Sequence, residues 1–226
     1  MSTREPLRHE ALIEELAGHL APVKPLPSPA QRAAIWLAAV AFVGLLGAAF
    51  ADLPAIADRL AAAPDMWIAV AGSTLTAILA ALAAFQLSVP DRSRLWVFLP
   101  WPAVIVWVAA SGWGCLRGWS IPGTHNVHAN DERDCLLIIV GLSIPLSALL
   151  IVMLRKAYTL HPALTALTAG LAAAAAAATL LNLFHPFDAT ASDLAVHALA
   201  VAGVIVAIRI FGARALSSAK DFSAAV

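Results

Sequence analysis

The stretch ALTALTAGLAAAAAAATLLNLF, residues 163–184, carries no charged side chain from end to end. At roughly 1.5 Å of rise per residue, a helix of this length crosses about 30 Å of hydrocarbon, and so apolar a run reads as a membrane span. Five further runs have the same character: 33–51, 66–89, 95–113, 136–154 and 194–211. The expected fold is all-α, a six-helix transmembrane bundle over residues 33–211, with a cytoplasmic N-terminal segment (1–32) and a cytoplasmic tail (212–226).

Composition agrees. The hydrophobic set makes up 61% of the 226 residues and charged residues 12%, with a mean hydropathy of +0.83. These values exclude an ordinary soluble domain, and the Ala-rich runs suit packed helices rather than barrel strands. Fourteen basic residues balance fourteen acids, so the net charge of zero offers no general attraction to nucleic acid.

Sorting the charges by loop gives an orientation. Arg4, Arg8, Lys24, Arg32, Arg92, Arg94, Arg155, Lys156, Arg209, Arg214 and Lys220 fall on one side, against Arg59, Arg117 and Arg133 on the other. The opposite loops gather Asp52, Asp58, Asp65, Asp131, Glu132, Asp134, Asp188 and Asp193. Both termini are therefore expected in the cytoplasm. Trp36 and Trp96 read as indoles at the cytoplasmic headgroup level, while Trp101 and Trp107 read as packing residues inside the third span. Small residues four apart, such as Gly44 and Ala48, Gly72 and Thr76, and Gly170, Ala174 and Ala178, suit close helix contacts. Pro100 and Pro102 are expected to bend the third span and Pro145 the fourth.

Chemistry has little to stand on. The spans hold no acid at mid-membrane, and the chain lacks a phosphate-binding glycine loop, H-E-x-x-H, G-x-S-x-G and Cys-x-x-Cys. No enzymatic activity, cofactor or small-molecule substrate is expected. Both cysteines, Cys115 and Cys135, bound the outer connection between the third and fourth spans. A hairpin brings such ends within the roughly 4.4–6.8 Å Cα spacing of a disulfide, which would stabilise it by about 3 kcal/mol. A structural staple and a redox or metal sensor fit equally. His125 and His128 lie between them in a C-x9-H-x2-H-x6-C array that matches no compact zinc signature. Asn182, His185, Asp188 and His197 gather around the fifth-to-sixth turn.

On the other side, Leu12, Ile13, Leu16 and Leu20 fall at i, i+1, i+4 and i+8, one apolar stripe flanked by Glu10, Glu14 and Glu15. A short helix cannot bury such a stripe against itself, and its acids disfavour an anionic lipid surface. A partner with a basic, apolar groove fits. Pro22, Pro25, Pro27 and Pro29 then form a semi-rigid spacer into the first span.

Several of these residues make up a familiar set: Leu-Ile-x-x-Leu-x-x-x-Leu-x-Pro-Val-x-x-Leu from Leu12 to Leu26, six spans, Gly-Cys-Leu at Gly114 to Leu116, Asp-Cys at Asp134 and Cys135, and Phe-His-Pro at Phe184 to Pro186. The chain resembles the bacterial negative regulators of sigma F, six-span inner-membrane anti-sigma factors. The resemblance implies that the N-terminal segment, through Leu12, Ile13, Leu16, Leu20, Val23 and Leu26, holds an extracytoplasmic-function sigma factor inactive. It also implies that periplasmic cysteines help release the sigma factor under metal or oxidative stress. Cys135 matches the family cysteine entering the fourth helix. The family's second cysteine follows the His after the fifth helix, where this chain has Pro186, so the resemblance leaves Cys115 as the partner of Cys135 and gives His185 the family histidine's place. Two other classes stay open. One is a small transporter or metal-handling protein using His125, His128, His185 and His197 at its outer mouth; the other is a structural membrane subunit.

Overall fold

The computed structural model describes residues 4–18, 25–49, 51, 53–62, 64–119, 129–184 and 191–223. Among them there is no strand. The helices are α1 (Arg4–Gly18), α2 (Pro29–Ala48), α3 (Leu53–Ala62), α4 (Pro64–Leu87), a 3-10 helix (Arg94–Phe98), α5 (Trp101–Trp119), α6 (Ala129–Leu154), α7 (Pro162–Phe184) and α8 (Ala191–Ser223). Five described stretches are long and apolar enough to cross a membrane: Pro29–Ala48, Met66–Leu87, Arg94–Trp113, Pro162–Leu183 and Ala198–Ser217. The run expected at 136–154 lies in α6, whose apolar described part, Ile139–Leu154, is shorter.

The bundle is organised around α7, which packs against α4, α6 and α8. Ala166, Ala169 and the series Ala172 to Ala177 are buried there. Such small side chains let neighbouring backbones approach until main-chain atoms touch. A Cβ added to Gly170 would lie 3.1 Å from Ile205 Cα of α8, and one on Gly72 of α4 would lie 2.9 Å from both Trp107 Cα and N of α5. Hydroxyls fasten the α4–α7 seam, where Thr179 Oγ1 bonds Ser73 Oγ at 2.8 Å and Thr165 Oγ1 donates to the Leu87 carbonyl at 3.4 Å.

Bulky residues collect at one end, where α2 and α7 begin and α4 and α6 finish. Trp36, Phe85, Leu146, Leu150, Leu154 and Leu216 belong to one buried cluster there. Trp36 is fully buried and its indole Nε1–H donates to the Leu146 carbonyl at 3.0 Å. The indole N–H, read from the sequence as facing the headgroup level, thus has its hydrogen-bond acceptor on a neighbouring helix. One turn earlier, Arg32 is buried as well. Its guanidinium donates to Ser88 Oγ at 3.2 Å and to the Met153 carbonyl, and its Cζ stands 4.7 Å from the centre of the Phe85 ring. The seat suits a cation, because the C-terminal ends of α4 and α6 both direct partial negative charge toward it.

Other differences from the sequence reading have local causes. The residues before Pro100 form the 3-10 helix, and α5 starts at Trp101, with Val104 N–H bonded to the Pro100 carbonyl at 3.0 Å. Pro102 therefore falls in the first turn, where its missing N–H has no intrahelical acceptor to lose. The two prolines start a helix instead of bending one, whereas Pro145 does lie inside α6. Trp101 is 55% exposed rather than packed inside, and meets Phe98 with ring centroids 6.4 Å apart. The ten-residue α3 occupies what reads as a loop, because a search for spans of about twenty apolar residues passes over a short helix holding Asp58 and Arg59. Residues 212–223, read as tail, continue α8, and Leu216 is buried in the core.

Gly72→Ala is expected to force α4 from α5 and lower stability by about 1–3 kcal/mol, as overpacking of a filled contact does. Gly203→Ala is the control, since its added Cβ meets nothing within 4 Å. Thermal unfolding of the two variants in detergent checks this: an unchanged midpoint for Gly72→Ala would contradict the close approach.

Candidate functional site

The polar segment ahead of α2 carries an exposed apolar stripe. Leu12, Ile13 and Leu16 of α1 are 51%, 64% and 60% exposed, and every described side chain from His9 to Gly18 is exposed with them. Glu10 and Glu15 border the stripe on its two sides and Glu14 lies behind it, so acids flank an open apolar face. Leu20 and Val23 lie outside the described residues. Leu26 sits in the non-helical stretch ahead of α2 and is 47% exposed.

The junction with the bundle is sharply made. Ser28 caps α2: its Oγ accepts the Gln31 N–H at 3.3 Å, while Gln31 Oε1 accepts the Ser28 N–H at 3.0 Å. Pro29 occupies the first turn, where its fixed φ already suits a helix. The reciprocal pair satisfies two otherwise orphan donors and fixes where the linker ends. Arg32 and Trp36 follow on the buried face of the first two turns. In chain order, the exposed stripe of α1 is followed by a proline-containing connection and then by the anchored start of α2.

The second set of candidates lies at the opposite end. Cys115 falls within α5 and Cys135 within α6, so each sits on a helix that continues past it toward the connection. Their side chains are outside the described residues, as are His125, His128 and His185 altogether; His197 lies on α8, its side chain not described. Among the described residues no group of His, Cys, Asp or Glu gathers to hold a metal ion. The structure thus brings Leu12, Ile13 and Leu16 onto one exposed helix and sets Leu26 in the connection that follows.

Arg32 and Trp36 are the residues that the sequence reading passed over. One was counted as a positive-inside charge and the other as a depth marker. The available signal was their spacing: two long side chains with N–H donors at i and i+4 lie on one helix face, at the start of a span whose other residues are mostly small or aliphatic.

Comparison with known proteins places this architecture. Residues 16–217 match the model of a family described as negative regulator of sigma F, and the chain belongs to that family. No curated protein and no solved structure matches it.

Proposed function

We propose that this protein is an integral inner-membrane anti-sigma factor: six spans, both termini in the cytoplasm, and an N-terminal segment that sequesters an extracytoplasmic-function sigma factor. Family membership makes a sigma factor the partner. The observation that carries the reading further is the open stripe of Leu12, Ile13 and Leu16 on a helix whose described side chains are all exposed. Unpartnered apolar faces of amphipathic helices commonly dock in a partner's groove. The flanking glutamates select a groove with a basic rim, and Leu20, Val23 and Leu26 extend the contact toward the linker. Such a segment occludes the sigma factor by holding it at the membrane surface.

The same reading gives release to the outer end. Cys115 and Cys135 sit on α5 and α6, the two helices that flank the outer connection, so oxidation or metal capture there would change how those helices are placed relative to one another. His125, His128, His185 and His197 are accessory residues of that face. Linkage requires the stimulus to favour the released state by at least the free energy of holding, on the order of several kcal/mol for a stable complex. No catalysis, resident cofactor, small-molecule substrate or direct nucleic-acid contact is part of this function. For the transporter alternative, the interior hydroxyls of Ser73, Thr76, Thr165, Thr168 and Thr179 are bonded within or between helices, whereas Gln86 Oε1, Ser143 Oγ and Thr159 Oγ1 are buried without a partner and are not gathered with any described acid or histidine.

Leu16→Asp places a charge in the centre of the stripe and is expected to weaken sigma-factor capture by about tenfold or more, the scale of one interface hot spot. Co-purification of the full chain from its native host, with Glu15→Gln as a rim control that retains capture, measures this; undiminished capture by Leu16→Asp would count against the stripe. The sensing step has its own test. A Cys115→Ser/Cys135→Ser chain should retain the sigma factor but fail to release it when oxidant or a thiophilic metal is added, and a normal response would remove the cysteines from the mechanism.

A further inference from the structure

The buried face at the base of α2 has a geometry that the holding and sensing roles do not use. α2 packs chiefly along α4, and its polar link to α6 consists of two side chains one turn apart. Both donate to main-chain carbonyls: Trp36 to that of Leu146 and Arg32 to that of Met153. A main-chain acceptor moves only when the helix backbone moves, so these bonds report the position of α6 itself rather than the rotamer of one of its side chains. Their acceptors bracket the part of α6 that follows Pro145. That proline lacks the N–H that would bond the Gly141 carbonyl, which makes the helix locally able to bend. Met153 lies in the last turn, where carbonyls have no intrahelical donor, so Arg32 supplies a missing partner.

Arg32 is also held by Ser88 Oγ and the Phe85 ring, at the end of α4. One cation thus joins the ends of two helices to the first turn of a third. A buried guanidinium bonded to a hydroxyl and a carbonyl, with no carboxylate among its described partners, is sensitive to small displacements, because each acceptor lost leaves a buried donor to be satisfied again. Four residues before Arg32 stands the Ser28 cap, and beyond it the connection to α1.

We propose that Arg32 and Trp36 are positioning residues that couple the segment of α6 after Pro145 to the N-terminal segment, so that a change in the course of α6 alters the seating of α2 and with it the presentation of α1. Its regulatory meaning rests on the sigma-holding function proposed above; the mechanical coupling does not. With both bonds made, the base of α2 is fixed and the stripe of α1 stands open, which is the holding arrangement. Displacement of α6 breaks the bonds, loosens the first turns of α2 and ends that arrangement. Since α6 also carries Cys135, the coupling gives a change at the outer end a route to the opposite end of the bundle.

The test is a double-mutant cycle in the full chain, reconstituted in phosphatidylethanolamine–phosphatidylglycerol nanodiscs and read by amide hydrogen exchange over residues 29–36. Pro145→Ala, which restores the missing donor in α6, should change exchange there by about tenfold in the parent chain and by less than about twofold when Arg32→Met and Trp36→Phe are present. If the double background fails to fold, Trp36→Phe alone, which keeps a ring and removes only the donor, should reduce the response to about threefold. Equal responses with and without the two donors, or no response in the parent chain, would overturn the coupling. Sigma-factor retention is measured on the same preparations. Exchange coupling without retention overturns the holding function and leaves the coupling standing, whereas retention without exchange coupling does the reverse.

Discussion

Close approach at α7 is the constraint on which the rest of the architecture depends. Helices that are apolar all round gain little by hiding from one another in an apolar surrounding, so their association relies on dispersion between closely packed atoms. Alanine supplies this by being small: the buried series from Ala172 to Ala177 admits the neighbouring helices to short range, and Gly170 brings α8 into contact with the helix axis itself. An unbranched methyl also loses no rotamer freedom on burial. The consequence is a division of labour along the bundle. Its middle is filled largely by backbone and methyl groups, while Trp36, Phe85, Leu150, Leu154 and Leu216 fill the end where α2 begins.

At that end the bundle meets the segment proposed above to hold the sigma factor. α2 is peripheral, with Ile35, Phe42, Leu45 and Leu46 exposed along it, and it is held at its base by specific donors as well as by area. The Ser28–Gln31 capping box and the Arg32 and Trp36 bonds occupy three successive turns. These bonds set the point on the bundle from which the chain runs back toward α1.

How far the sequence could be read follows from the range of each signal. Apolar runs were legible because the exclusion of charge over about twenty residues has few explanations besides a span. The stripe of Leu12, Ile13 and Leu16 was legible because helical periodicity is local, and the same periodicity at Leu53, Ile56 and Leu60 marked α3 for anyone scanning at ten-residue length. What stayed hidden depended on distant partners. An arginine at the edge of an apolar run looks the same whether it snorkels to the interface or donates to Met153, and nothing within α2 distinguishes the two. Likewise, Pro100 and Pro102 read as kinks until the start of α5 is seen to fall between them.

The Arg32 bond to Met153 joins positions 121 residues apart. During synthesis, α1 and α2 leave the ribosome long before the acceptor exists. The anchor cannot form until α6 has been made, so a chain truncated before Met153 would carry α1 and the first turns of α2 without the carbonyl that receives Arg32.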